Sequence, residues 1–163
     1  MASLAGSFLI ARPTLTDPSF ARAVVLLLQH SAEGAFGLVV NRPVEQKGLP
    51  FPVCAGGPCQ TPGLFMLHGH PEWAGSSPTE VATGIFVGDN SCLTRATDAP
   101  AGEARRCRVF LGYAGWGPGQ LEREIAAGAW ATVPATSELL FDTPAEELWP
   151  QLAPPRIPEP SLN

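Results

Sequence analysis

Positive charge is scarce in this chain, and lysine is nearly missing. Ten Lys and Arg face fifteen Asp and Glu in 163 residues, and Lys47 is the lone lysine. Charged residues make up 15%, and the net charge is −5. An acidic chain repels a phosphate backbone unless its cations cluster. The one dense cluster is Arg105, Arg106 and Arg108, which reads as the solvated start of a strand. No pair of short helices carries a basic recognition face, so direct readout of duplex DNA is not expected. Long apolar runs are also missing. The longest, Ala23 to Leu28, is far too short to span a bilayer. No basic residue precedes Phe8-Leu9-Ile10-Ala11, and Pro13 closes that stretch, so no signal peptide is read. The expectation is a cytoplasmic protein with no membrane association. No C-x-x-C pair occurs. Cys54, Cys59, Cys92 and Cys107 read as buried free thiols, since Cys packs as a small hydrophobe. A zinc set from Cys54, Cys59, His68 and His70 has spacing at the loose limit, so no metal and no cofactor is assigned.

What is present is glycine, proline and short apolar segments. Seventeen glycines and eighteen prolines imply many turns. Strands are predicted at 8–11, 24–29, 36–40, 53–55, 64–68, 106–113, 130–133 and 138–141. The continuous apolar run in the second marks a strand buried on both faces. The short link Ser31-Ala32-Glu33-Gly34 joins it to the third as a hairpin. Glu80 to Val87 is β-prone and interrupted at Gly84. Asp89 or Asn90 caps a short helix carrying Cys92, Leu93 and Ala96. Asp98 to Glu103 reads as loop, and a helix is predicted at 118–127. Thr143-Pro144-Ala145-Glu146 reads as a helix start, with Thr as cap and Pro at the first position. Residues 1–152 form one domain, and 153–163 are a Pro-rich extended tail. Strands outnumber helices without strict alternation, which predicts an α+β fold with a strongly bent or partly closed sheet.

The densest motif is Gly112-Tyr113-Ala114-Gly115-Trp116-Gly117-Pro118-Gly119-Gln120-Leu121-Glu122. It reads as a Gly-rich loop between a strand and a helix. Such a loop exposes backbone N–H groups at the positive end of a helix dipole, an arrangement suited to an anion. Neither familiar phosphate loop fits. Gln120 stands where a dinucleotide fingerprint needs its third glycine, and no Lys-Ser/Thr follows the last glycine of a P-loop. The competing reading is tight packing, with Trp116 plugging a core.

Taken in order, Gly6-x-Phe8-Leu9-Ile10-Ala11, Asp17-Pro18-x-Phe20, Gly34 to Pro43, Gly56-Gly57-Pro58 and Gly112 to Glu122 resemble the AlgH/YqgE family over nearly the whole chain. The resemblance implies an α+β fold around a bifurcated, mostly antiparallel sheet that forms a flattened pseudo-barrel with a few flanking helices. It also implies a bacterial cytosolic protein labelled a transcriptional regulator, with no established molecular activity. Two departures stand out. Members usually carry a longer insert, with a helix, between Asn-Arg-Pro and Gly-Gly-Pro, where this chain has only Val44 to Ala55. The usual Gly-Gly-Pro-Val is Gly56-Gly57-Pro58-Cys59 here.

Candidate chemistry is thin. His30 and His68 are candidate bases, Cys54 and Cys59 candidate nucleophiles, and the N–H groups of Gly115 to Gly117 a candidate oxyanion hole. No Gly-x-Ser-x-Gly elbow is present, and no catalytic residue is assigned. Glu122 and Glu124 point to different sides of a helix, and Glu122 suits the dipole. Arg42 and Gln120 are the polar residues least explained by packing. Arg42 either holds an anion over the helix or bridges to a carboxylate such as Glu122. The leading expectation is a non-enzymatic protein that binds a protein partner. Its surface would combine Asn41, Arg42, Gly56, Gly57, Pro58, His68, Gly112, Gly115, Trp116, Gly117, Gln120 and Glu122, with Trp116 as anchor. The alternative is a cryptic enzyme or anion-binding protein that uses the Gly-rich loop.

Overall fold

The structure, a computed structural model, describes residues 3–45, 49–73 and 80–153. The strands are β1 (Ser7–Ala11), β2 (Val24–Ser31), β3 (Gly34–Val39), β4 (Pro43–Val44), β5 (Val53–Ala55), β6 (Cys59–His68), β7 (Glu80–Ala82), β8 (Ile85–Val87), β9 (Cys107–Trp116) and β10 (Trp130–Pro134). The helices are α1 (Asn90–Asp98), α2 (Ala101–Ala104), α3 (Gln120–Ala126), α4 (Ser137–Phe141) and α5 (Ala145–Leu152). The expected Pro-rich tail lies outside the described residues, Ala153 apart.

The sheet runs β10-β1-β2-β3-β9-β6-β8-β7, and β4 and β5 lie beside it. Every strand pair is antiparallel except β5 with β9. Its two ends come together. Thr83, just past β7, bridges to Thr136, just past β10, and Ser137 donates its N–H to the Thr83 carbonyl at 3.0 Å. The result is a nearly closed, barrel-like α+β fold.

The sheet forks at β9. The edge of β9 that pairs with β5 at Val109 to Leu111 pairs with β3 at Ala114 to Trp116. Gly112 is the branch point, with φ of +80°. Gly56 sits in the fork, donating its N–H to Leu111 and accepting from Val39. A Cβ on Gly56 would lie 2.4 Å from the Gly112 carbonyl oxygen, and one on Gly57 2.2 Å from that of Tyr113. Three backbones meet with no room for a side chain between them, which is why Gly-Gly and Gly112 belong together.

Apolar alternation fills three layers. Val24 and Leu26 of β2 face the interior with Phe8, Ile10, Phe110 and Leu148. Val25 and Leu27 face outward, under Trp116, Leu121 and Trp130. The expected burial of β2 on both faces therefore holds. On the other side of the fork, Met66 and Val109 pack with Trp73, Cys92 and Ala96 of α1.

Several local expectations are corrected. The predicted strand at 106–113 runs on through Trp116, because the backbone of Ala114 to Trp116 pairs with β3, and the helix begins at Gln120 rather than 118. Residues 138–141 form α4, not a strand: the Thr136 side chain caps Leu139 N–H at 3.3 Å. The N-cap of α5 is Pro144, which makes no side-chain cap, so Thr143 stands one residue before the cap position. The strand predicted from 64 begins at Cys59, and the loop at 98–103 hides the short helix α2. Asp89 does cap α1, accepting from Cys92 N–H at 3.0 Å.

Candidate functional site

The sequence motifs converge on a packed knot rather than an open site. Asn41 accepts from Val24 N–H at 2.9 Å and donates to the Arg22 carbonyl at 3.0 Å. Those bonds hold Arg22 at its φ of +60°. Arg42 donates to the carbonyls of Ser19 and Ala21. Its partners are these backbone carbonyls and not Glu122, and it ties down the Asp17-Pro18-Ser19-Phe20 turn. That turn delivers Phe20 to Trp116, with rings stacked at 6.1 Å, and to Trp130 at 5.6 Å.

Trp116 is 6% exposed and belongs to the core. It is not a surface anchor. Its indole N–H donates to Glu124 Oε1 at 3.0 Å, and Trp130 donates to the same oxygen at 2.9 Å. Gln120 donates to Glu124 Oε2 at 2.9 Å and accepts from Gly117 N–H at 3.0 Å. The Gly117 donor that an anion would use is therefore already satisfied, which counts against the anion reading of this segment. Gly115 pairs with Phe36 inside the sheet. The hub is Glu124, which sequence reasoning passed over. The signal available was its position four residues after Gln120 on one helix, where side chains at that spacing meet.

Glu122 pairs with His30, whose Nε2–H donates to Glu122 Oε2 at 2.8 Å. That bond holds the Glu122 carboxyl below its usual range. Ser3 and Ser31 line a cleft beside this pair, which invites a Ser-His-Glu reading. The other ring nitrogen answers it: His30 Nδ1 accepts from Leu4 N–H at 3.0 Å. Neither nitrogen is free to take a serine proton.

His68 is fully buried, and its Nδ1 accepts from His70 N–H at 3.1 Å. Its Nε2 faces Cys92 Sγ at 3.7 Å. Cys92, not Cys54 or Cys59, is thus the thiol beside a histidine. Burial, then His70, lowers the His68 pKa to about 4, and burial raises the Cys92 thiol. The pair is neutral on both sides, the opposite of an activated thiolate. His68 stacks on Phe86 at 5.5 Å and packs against Trp73 at 5.4 Å. Its place is in the core between β6 and α1, apart from the Trp116 knot. Among the described residues no group of three His, Cys, Asp or Glu is placed to hold a metal ion.

The proposed recognition surface does not form as one. Gly56, Gly57 and Gly112 meet at the fork and are closed against each other, with Pro58 exposed where β6 begins. Asn41 and Arg42 face the Phe20 turn instead. The family model described as AlgH-like (DUF179) matches residues 8–154. The chain belongs to the AlgH-like family. A UPF0301 protein of Burkholderia vietnamiensis is 40% identical over 162 residues, covering 89% of this chain and 84% of that relative. One from Shewanella sp. is 38% identical over 171 residues, covering 93% and 90%. Both matches are longer than the part of this chain they take in, so these AlgH-like relatives carry residues that this chain lacks. Among solved structures, AlgH of Pseudomonas aeruginosa matches with a TM-score of 0.68 and 33% identity, covering 90% of this chain and 85% of AlgH. Protein DIP2367 of Corynebacterium diphtheriae shares the fold at a TM-score of 0.73 and 23% identity, covering 98% and 90%. The AlgH-like motifs are thus accounted for in this chain by the Trp116–Glu124 knot and the glycine fork.

Proposed function

We propose that this protein acts by holding a protein partner on the outer face of its sheet and turns over no substrate. The observation that carries the reading is the bare end of that face. Leu64 and Leu111 stand opposite each other across β6 and β9 and are 54% and 44% exposed. Two residues along, Met66 and Val109 occupy the same face and are buried with α1. Val44, 37% exposed, borders that face through Val53 and Val109. A cleft of about 310 Å³ ends there, lined by Leu64, Met66, Leu93 and Val109. Paired leucines held out in water add little to the fold that presents them, and contiguous apolar surface of this kind marks contact sites.

The occupant this face fits is an amphipathic helix of another protein. Asp89 lies at the cleft rim and stays ionised, its pKa held at about 2 by bonds from Ser91 and Cys92. A Lys or Arg beside the helix's apolar stripe would meet it. Members of the family usually carry a helix of their own between the Asn-Arg-Pro and Gly-Gly-Pro motifs, and that connection leaves from Val44 on the border of the face. Here the connection is short, and a helix supplied by a partner would take up the surface. With this reading goes the proposal that any regulatory role of this acidic chain, in a cytoplasmic setting, runs through a protein partner rather than through DNA.

The test is capture from native lysate by tagged wild type and by a Leu64→Glu/Leu111→Glu variant of unchanged circular dichroism. The captured protein is then rebuilt with the purified chain for hydrogen exchange. The reading requires loss in the variant and new protection at Leu64 to Leu67 and Val109 to Leu111. Equal capture by both baits, protection elsewhere, or a self-dimer abolished by the variant would each overturn it.

A further inference from the structure

A second cleft, on the far side of the fork, carries an inference independent of partner binding. It has a volume of about 420 Å³ and lies between the start of β9 and the link from α4 to α5. One wall is apolar, made by Val40, Pro43, Pro52, Leu140 and Leu148. Arg105 and Arg108 line it as well. Arg108 is fixed in place. Its Nη1 donates to the carbonyls of Arg105 at 2.7 Å and Cys107 at 2.9 Å, and its Nη2 to that of Phe141 at 3.2 Å. The guanidinium lies over the Phe141 ring at 5.4 Å.

The charge bookkeeping is incomplete. A guanidinium has five N–H donors, and three bonds are made here, all to backbone carbonyls. Among the described residues neither Arg105 nor Arg108 has a carboxylate within ion-pair distance. Asp142 lines the cleft too, but it is paired with Arg106 at 3.0 Å. Burial presses the Arg108 pKa downward, against the raising influence of Asp142. The first turn of α5 borders the same cleft, and its cap position, Pro144, supplies no side-chain acceptor. Cys54 also lines the cleft, but burial lifts its thiol to about 11, so it is a neutral wall and not a nucleophile.

We propose that this cleft binds a small carboxylate with an apolar body, its carboxylate on Arg105 and Arg108 and its body against Val40, Pro52 and Leu148. The planar fork of arginine matches a carboxylate, and a pocket of mixed wall and few polar groups is the usual form of a small-molecule site. Glu146, exposed at the rim, disfavours more highly charged anions.

The experiment titrates the ¹⁵N-labelled full chain with hexanoate, acetate and hexanol separately, read by amide shifts. The expected result is a saturable hexanoate shift at Arg105 to Arg108 and Phe141 to Glu146. Arg105→Gln, an exposed position, should weaken it at least fivefold. Arg108→Lys, which keeps the charge but loses the fork, should weaken it too. Acetate and hexanol should not saturate at the same concentrations. Equal response to hexanoate and hexanol, shifts unaffected by Arg105→Gln, or no localised shift would each overturn the assignment.

Discussion

Replacing Glu124 by alanine removes one carboxylate from under two buried indoles. Trp116 and Trp130 are 6% and 1% exposed, and both donate to the same Glu124 oxygen at 3.0 and 2.9 Å. A hydrogen bond to a charged acceptor is worth about 1.5–3 kcal/mol, and a stranded buried donor costs a similar amount. Two such donors would cost up to about 6 kcal/mol. Glu124 is only half-buried, so water can reach part of the vacancy, and we expect a loss of about 3 kcal/mol. In a chain of this length that lowers the melting temperature by roughly 10 °C. Glu124→Gln keeps an acceptor oxygen and should cost about 1 kcal/mol. Urea unfolding followed by tryptophan fluorescence and by circular dichroism measures both. If Glu124→Ala costs less than about 1 kcal/mol, the carboxylate is not the hub of this knot, and the motif needs another explanation.

Acid should act through His68. Its folded pKa of about 4 lies below the 6.5 of a free imidazole, so the folded state binds fewer protons. Stability from this group is complete above pH 6.5 and falls away as pH drops towards 4. Between pH 7 and 4.5 the loss is about 2 kcal/mol. His68→Asn, which keeps an acceptor for His70 N–H, should remove that part of the slope; an unchanged slope in the variant would refute the assignment. At the fork, Gly57→Ala places a Cβ 2.2 Å from the Tyr113 oxygen at a φ of +152° and should prevent folding or lower the melting temperature steeply. Gly102→Ala meets nothing within 4 Å and should be neutral or slightly stabilising; matching behaviour of the two variants would dismiss the steric account.

Local chemistry was legible wherever the deciding atoms are neighbours in sequence. The β2–β3 hairpin follows from an apolar run, a four-residue turn and a second run. The Asp89 cap of α1 needs only a carboxylate three residues before its N–H. The double-sided burial of β2 is written in its unbroken apolar string. The errors have the opposite character. Ala114 to Trp116 has loop composition, yet β3 supplies its strand partner, and a paired strand tolerates glycine where backbones crowd. Glu138 to Phe141 reads as strand, but Thr136 caps the segment and the barrel seam at Thr83 fixes its start. Arg42, Trp116 and Glu122 looked available because their partners lie far along the chain: Ser19 and Ala21 for Arg42, Phe20 for Trp116, His30 for Glu122. Composition and periodicity determined that strands, turns and caps form here. Which glycines touch, which charges are satisfied and which leucines stay in water are set by long-range contacts, and those exist only once the sheet has closed.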